Sequence, residues 1–492
     1  MAKVKPVPAP VGGWNARDSL DGMKEDEAYL LDNWIPDVGK CRLRNGYSSY
    51  ATGMTSNVET LAEFNSGATH KFLAASNGNI WDISSAGAAS SLGSGFGNNR
   101  WQWVNFDAKL GLVNGADAPQ VYDGSTLGAM TISGSGLTVS TLIGVNSFKS
   151  RTYFWANNSQ DFWYSAVDTL GGALTKFPLS RVGTFGGYLM SMSTWTRDGG
   201  AGADDLAVFT MSSGEVIVYS GSDPGSDFSL IGIFHIGAPL SIRGTVKIGA
   251  DLVVMTKNGY VPLSKVLPGL QNTQAISDQI SGAVSDAAQS FASNYGWQAI
   301  LYPRGNLLMF NVPATTNATY YQHVFNTITG KPCRFKGINA RCWGIFQDKL
   351  YFGGSGSVYL FDDGASDNGS NIEGDAITAP NYLGSRGNQK LLTGIQAILS
   401  SDGDLPVATA IGVDFTIPSI PVNASTYAAS GAVWDTATWD DADWTGGDVV
   451  TKQWHSASGM GFNFMTRLKV AVNSQTANWY STNYMFKPGG LI

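Results

Sequence analysis

Charge is what this sequence has least of. Asp, Glu, Lys and Arg make up 14% of its 492 residues, against roughly 25% in an ordinary soluble protein. The 31 Lys+Arg and 38 Asp+Glu leave a formal net charge of −7. That balance excludes a nucleic-acid binder built on a basic surface, because phosphate contacts need clustered Lys and Arg. Cysteine is also scarce. Cys41, Cys333 and Cys342 are an odd count with no C-x-x-C spacing. Cys333 and Cys342 are near enough to pair, but buried free thiols in a protein made in a cytoplasm are the expectation. Four dispersed histidines (His70, His235, His323, His455) show no ligand spacing, so no metal is expected. No apolar run approaches the roughly 18 residues of a membrane helix. Residues 1–13 lack the apolar stretch of a signal peptide. The chain reads as soluble, with no membrane partner.

Glycine and aromatics are plentiful. There are 60 Gly and 15 Trp, and aromatics reach 12%. Such a chain is too aromatic and too weakly charged to be disordered, and without a Gly period it is not collagen-like. A surface so short of charge suggests coverage by partners. Length alone allows roughly two to four domains.

Helix signals are few. Residues 24–34 crowd acids into a first turn, put Leu30 and Trp34 on one face, and stop at Pro36. Residues 275–292 place Ile276, Ile280, Val284, Ala288 and Phe291 near one stripe, with Ser277 or Asp278 as cap. The rest reads as short strands and turns, and a unit repeats. It consists of an apolar strand, a Gly/Asn/Ser turn, and a second strand with an aromatic. Its first strands begin near residues 72, 110, 152, 206, 252, 307 and 350, on average about 46 residues apart, the length of a propeller blade. One hairpin fills half a blade, and weaker runs such as Trp101–Val104 and Ser229–Ile233 supply the remainder. The competing reading is a set of sandwich hairpins.

The stretch 365–375 has linker composition. Beyond it, strands at 393–399, 407–415 and 467–472 lack the propeller spacing. The predicted fold class is therefore all-β: an irregular β-propeller with an additional β-sandwich-like domain and few short helices. The predicted division is an N-terminal arm with a short helix (1–50), the propeller (51–364), and a C-terminal β-sandwich-like domain (365–492) on which the arm packs or to which it belongs.

No constellation points to catalysis. There is no G-x-S-x-G, no P-loop and no dinucleotide fingerprint. Gly93-Ser94-Gly95-Phe96-Gly97 lacks the flanking strand and helix. A glycosidase needs two carboxylates facing each other across a sugar. The adjacent pairs Asp204/Asp205, Asp362/Asp363 and Asp440/Asp441 point to opposite faces of any strand they occupy. A calcium loop from Asp362, Asp363, Asp367, Asn368 and Glu373 misses the EF-hand spacing. Trp434, Trp439 and Trp444 recur every five residues, a period of neither helix nor strand. They suit loop anchoring or subunit packing, with a sugar platform as the other reading. The expectation is no enzyme, no cofactor, no metal and no catalytic residue.

Three stretches together resemble the tail hub, or nozzle, proteins of short-tailed bacteriophages, related to packaged-DNA stabilisation proteins. The first is Gly12-Gly13-Trp14-Asn15-Ala16-Arg17-Asp18 through Ala28, then Leu31-Asp32-Asn33-Trp34-Ile35-Pro36 and Arg44-Asn45-Gly46-Tyr47. The second is Phe325-Asn326-Thr327-Ile328-Thr329-Gly330-Lys331-Pro332-Cys333-Arg334-Phe335, then Leu350–Gly354, Gly356–Tyr359 and Asp367-Asn368-Gly369. The third is the Trp434–Trp444 cluster followed by Gly459-Met460-Gly461. Lys331-Pro332 departs from the small residue and Trp of the family pattern. The resemblance implies an irregular propeller with an added β domain, assembled as a homo-hexameric ring below portal and adaptor. It implies a virion protein, made in the host cytoplasm, that retains the packaged genome and forms its ejection channel. Its partners would be the adaptor or head-to-tail connector, tail fibres or spikes, and genomic DNA passing without specific binding. A weakly acidic wall suits a sliding polyanion. The stretch between Phe310 and Tyr320, read as a long insert, and the helix at 275–292 are the expected subunit or channel contacts. The alternative is a carbohydrate-binding propeller used in host attachment, and a glycosidase stands third.

Overall fold

Period-two apolar strands joined by two-residue turns build most of the chain. The computed structural model describes residues 2–198, 203–266, 275–315, 318–403, 405–420, 449–451 and 453–491. The architecture is a β-propeller with a sandwich-like second unit. Six of its sheets have three to five strands and are confined to the ring. In chain order, the innermost strands of five of them are Val58–Ser66, Gln102–Phe106, Leu142–Phe148, Leu189–Asp198 and Thr245–Ile248. A meander beginning with Gln298–Tyr302 fills the next place and then runs on into a nine-stranded sheet. The sixth ring sheet begins with Cys342–Phe346, which packs back against Val58–Ser66. The N-terminal strand Tyr47–Thr52 pairs antiparallel with Val358–Phe361 and so closes the ring without a covalent link.

All seven repeat hairpins read from the sequence are present. Each supplies the second and third strands of its sheet, as in Thr69–Ser76 with Asn79–Asp82 and Lys349–Gly353 with Val358–Phe361. The weaker run at 101–104 falls on an innermost strand, and that at 229–233 on an outermost one. Apolar clusters fill the gaps between consecutive sheets. Phe72, Phe346 and Tyr351 lie in one gap, and Phe64, Trp101 and Tyr122 in the next. Val104, Phe154 and Trp163 follow, then Phe162, Phe209 and Tyr219, then Val208, Val254 and Val261. Burying faces of neighbouring sheets against each other is what holds the ring.

The second unit has two sheets. One continues the meander through Glu27–Asp32, Ile372–Thr378, Phe464–Val472 and Val407–Val413. The other centres on Asn388–Ser401 and Asn478–Leu491, flanked by Lys3–Pro8, Trp34–Asp37, Lys40–Leu43, Val449–Thr451 and His455–Gly461. Val7, Leu392, Ile395, Phe464, Tyr484 and Phe486 pack between them. A larger core joins this unit to the propeller and contains Trp14, Trp34, Phe310, Trp343 and Trp479.

Four local expectations are corrected. Residues 24–34 are not helical: Glu27–Asp32 and Trp34–Asp37 are strands, broken at Asn33 with φ 63°. Pairing with Ile372–Thr378 and the burial of Ala28 and Leu31 override the local helix signal. The expected linker at 365–375 already contains the start of strand Ile372–Thr378. The stretch between Phe310 and Tyr320 is not an insert, because Leu307–Thr315 and Thr319–Asn326 pair as a hairpin to Thr315 and Thr319. The helix expected at 275–292 forms as α1 (Ser281–Phe291), preceded by a 3-10 turn at Asp278–Ile280. Its N-cap is Ile280 rather than Ser277 or Asp278, and the Ser277 hydroxyl instead accepts the Tyr260 N–H at 3.0 Å. The Trp434–Trp444 cluster and Asp440/Asp441 lie outside the described residues.

Candidate functional site

The first two stretches that carry the family resemblance meet in one junction between propeller and sandwich. Asn33, in the left-handed conformation, sits at its centre. Its side-chain oxygen accepts from Arg44 Nε at 2.9 Å and from the Lys336 N–H at 2.9 Å. Its side-chain amide donates to the Glu373 carbonyl at 2.7 Å. Arg44 and Asp367 form a buried two-pronged ion pair at 2.7 and 2.6 Å. Arg334 makes a second such pair with Asp32, at 2.6 and 2.9 Å. Its guanidinium lies 5.1 Å from the centre of the Trp14 ring. Asn326 and Thr329 both donate to the Pro36 carbonyl. Gly46 passes so close to Ser366 that a Cβ would stand 1.9 Å from its carbonyl oxygen. Planar forks and amides are what such a junction needs, because each buried polar group must find a partner.

Beside the junction, the Trp14–Asp18 segment, α1 and the strand Thr319–Asn326 enclose a cleft of about 510 Å³. His323 lies on its wall, fully buried, with Nδ1 2.8 Å from the Tyr260 hydroxyl and no hydrogen-bond partner on Nε2. Burial, aided by Arg334, pushes its pKa down to about 3, so the ring is neutral. Burial likewise raises the thiols of Cys41, Cys333 and Cys342, and all three are free. Asp18 is held down at about 2, chiefly by its hydrogen bond with Arg17.

The structure scatters the residues nominated for a calcium loop. Asp367 belongs to Arg44. Asp362 accepts from Asn45 at 2.9 Å, Asp363 from Ser48 at 2.5 Å, and Asn368 from the Ser49 N–H at 3.2 Å. Glu373 contributes its carbonyl to Asn33. Asp205 accepts from Thr196 and pairs with Lys149. Among the described residues, no group of three or more His, Cys, Asp or Glu side chains is placed to hold a metal ion. No described helix is long and apolar enough to cross a membrane.

The propeller axis carries residues that sequence reading passed over. Arg243, just before one innermost strand, reaches across the ring. It donates to the carbonyls of Glu59 and Trp101 at 2.9 and 2.7 Å, and to the Thr60 hydroxyl at 2.9 Å. The Tyr295 hydroxyl donates to the same Glu59 carbonyl at 3.0 Å. Arg100 lies 4.1 Å over the Tyr295 ring, and Arg243 lies 5.8 Å from the Trp103 ring. These contacts tie non-adjacent sheets together across one end of the ring. The available signal was positional: Glu59, Arg100, Arg243 and Arg341 each stand at or within two residues of the start of an innermost strand.

No family model and no curated protein matches the chain. Among solved structures, it is similar to the computationally designed protein Ika8 (10% identity, TM-score 0.37, 64% of this chain and 99% of that one). It is similar to YCF48 from Cyanidioschyzon merolae (11% identity, TM-score 0.42, 64% and 98%). It is also similar to BBS1N solved in complex with ARL6DN (9% identity, TM-score 0.41, 65% and 98%).

Proposed function

We propose that this chain is a structural virion protein of a short-tailed bacteriophage. It forms a ring-shaped tail nozzle or hub below portal and adaptor, holds the packaged genome, and lines the channel for its ejection. It has no chemistry of its own. The observation that carries this reading is where the resemblance falls. Its first two stretches are spent on one junction of buried ion pairs and amide bonds, as suits a part whose work is mechanical. Six copies of the chain, the connector above, and fibres or spikes at the rim are its partners. Genomic DNA passes without specific contacts. The bonds of Arg243 and Tyr295 across one end of the ring favour a conduit that runs between copies and not along a propeller axis.

Cryo-electron microscopy of virions encoding the chain tests this. The expected density is a ring below the connector, with each propeller axis off the central channel. Virions lacking the chain, or DNA threading a propeller bore, would overturn the reading. A glycan array run on the purified chain tests the attachment alternative.

A further inference from the structure

The mouth of the propeller axis has an unusual charge for this chain. Arg100 and Arg243 meet there at Glu59, Arg100 at its carboxylate and Arg243 at its main-chain carbonyl. Two guanidinium groups beside one carboxylate stand out in a protein whose total balance is −7. Arg243 gives its bonds to two carbonyls and a hydroxyl, none of which neutralises it. Arg100 approaches Glu59 through Nε alone, at 3.4 Å. Its side chain is 48% exposed, and its two terminal nitrogens make no hydrogen bond among the described residues. The Tyr295 ring backs that fork at 4.1 Å.

In front of the fork is a space of about 240 Å³, walled by residues of five successive places in the ring. Gln102, Asn114, Asn157, Tyr188 and Tyr295 line it with Arg100. Past Gln102 and Ile242 it adjoins a second space of about 240 Å³, bordered by Asn146, Ser191, Ser193 and Thr245. A concave, low-dielectric site with surplus positive charge concentrates anions. A guanidinium held flat is preorganised to grip two oxygens at once.

We propose that this axial mouth is an oxyanion-binding site, receiving a carboxylate or phosphate group in the fork of Arg100. The rest of the ligand lies along the polar wall, and Arg243 provides charge from behind. The site is independent of the ring assembly proposed above.

Isothermal titration of the purified chain at low salt, with inorganic phosphate and separately with glutarate, tests it. Wild-type protein is expected to bind at least one of the two. Arg100→Gln, at a half-exposed side chain, keeps the fold and weakens binding about tenfold, the scale of one charge-assisted fork. Arg386→Gln, at a 70% exposed site elsewhere, leaves affinity unchanged. Preference for phosphate assigns a phosphoryl group to the ligand, and preference for glutarate a carboxylate. Absence of binding by both anions, or equal affinity in wild type and Arg100→Gln, overturns the proposal.

Discussion

Arg44 is the side chain whose loss the junction should feel most. It is 1% exposed and faces Asp367 at 9%. Beyond the two bonds of the pair, it donates to Asn33 at 2.9 Å and to the carbonyls of Asn45 and Lys336 at 3.0 Å each. Arg44→Met keeps an apolar stem in the same space and removes all five bonds. The carboxylate of Asp367 is then buried without its cation, which costs about 3–5 kcal/mol. The unfolding entropy of about 2.1 cal/mol/K per residue sums to roughly 1 kcal/mol/K for a chain this long, so Tm should fall by about 3–5 °C. Calorimetry measures that fall, with Arg386→Met as the exposed control. The double variant Arg44→Met/Asp367→Leu should recover most of the loss, because removing both charges leaves no orphan. If Arg44→Met matches Arg386→Met within about 0.5 kcal/mol, the pair does not hold the junction as argued.

Two further outcomes follow from the same region. His323 is neutral when folded, whereas in the unfolded chain it titrates near 6.5. Below that pH the unfolded state takes up a proton that the native state refuses, so stability falls as pH drops from about 6.5 towards 3. His323→Gln should flatten that limb in a series of Tm against pH, and an unchanged slope would show that His323 does not cause it. Gly46→Ala would drive a methyl into the Ser366 carbonyl and should cost about 1–3 kcal/mol by denaturant titration. Gly39→Ala, with nothing within 4 Å of the added Cβ and φ +73°, should cost about 1 kcal/mol, from its backbone conformation alone.

The propeller was legible because its middle strands are apolar and recur at blade-length intervals. Their period survives in sequence even where the loops vary. The turns were harder to read. Asn77-Gly78 announces its left-handed pair, but Asp107-Ala108, Lys149-Ser150 and Gln347-Asp348 adopt positive φ at both residues with no glycine. The tight turn from innermost to second strand is thus set by strand pairing rather than residue preference. The segment 24–34 misled for a related reason. Its acids mimic a helix start, yet Glu27 is buried and accepts from Asn15 at 2.7 Å and from the Lys24 N–H at 3.1 Å. Such partners, distant in sequence or hidden in a turn, leave no periodic trace. The axial arginines were invisible likewise, since ring geometry alone brings residues 59, 100 and 243 together.

Closure of the ring depends on the same N-terminal segment that builds the sandwich. Before Tyr47–Thr52 reaches the last ring sheet, the chain has placed Lys3–Pro8 on one sandwich sheet, Glu27–Asp32 in the other, and Arg44 against Asp367. Peeling the closing strand away therefore pulls directly on the Arg44–Asp367 pair and on Asn33, which ties Arg44 to Glu373. The closing strand contributes only six residues. Its hold is reinforced by Tyr47, which packs edge-on against Phe352 and Tyr359, and by anchors on both sides of residue 46. A strand secured in this way resists opening under load better than an isolated terminal strand of the same length, because breaking its pairing also breaks buried charges. The nozzle role proposed above calls for that resistance. Here the residues responsible are those in which the family resemblance was first visible.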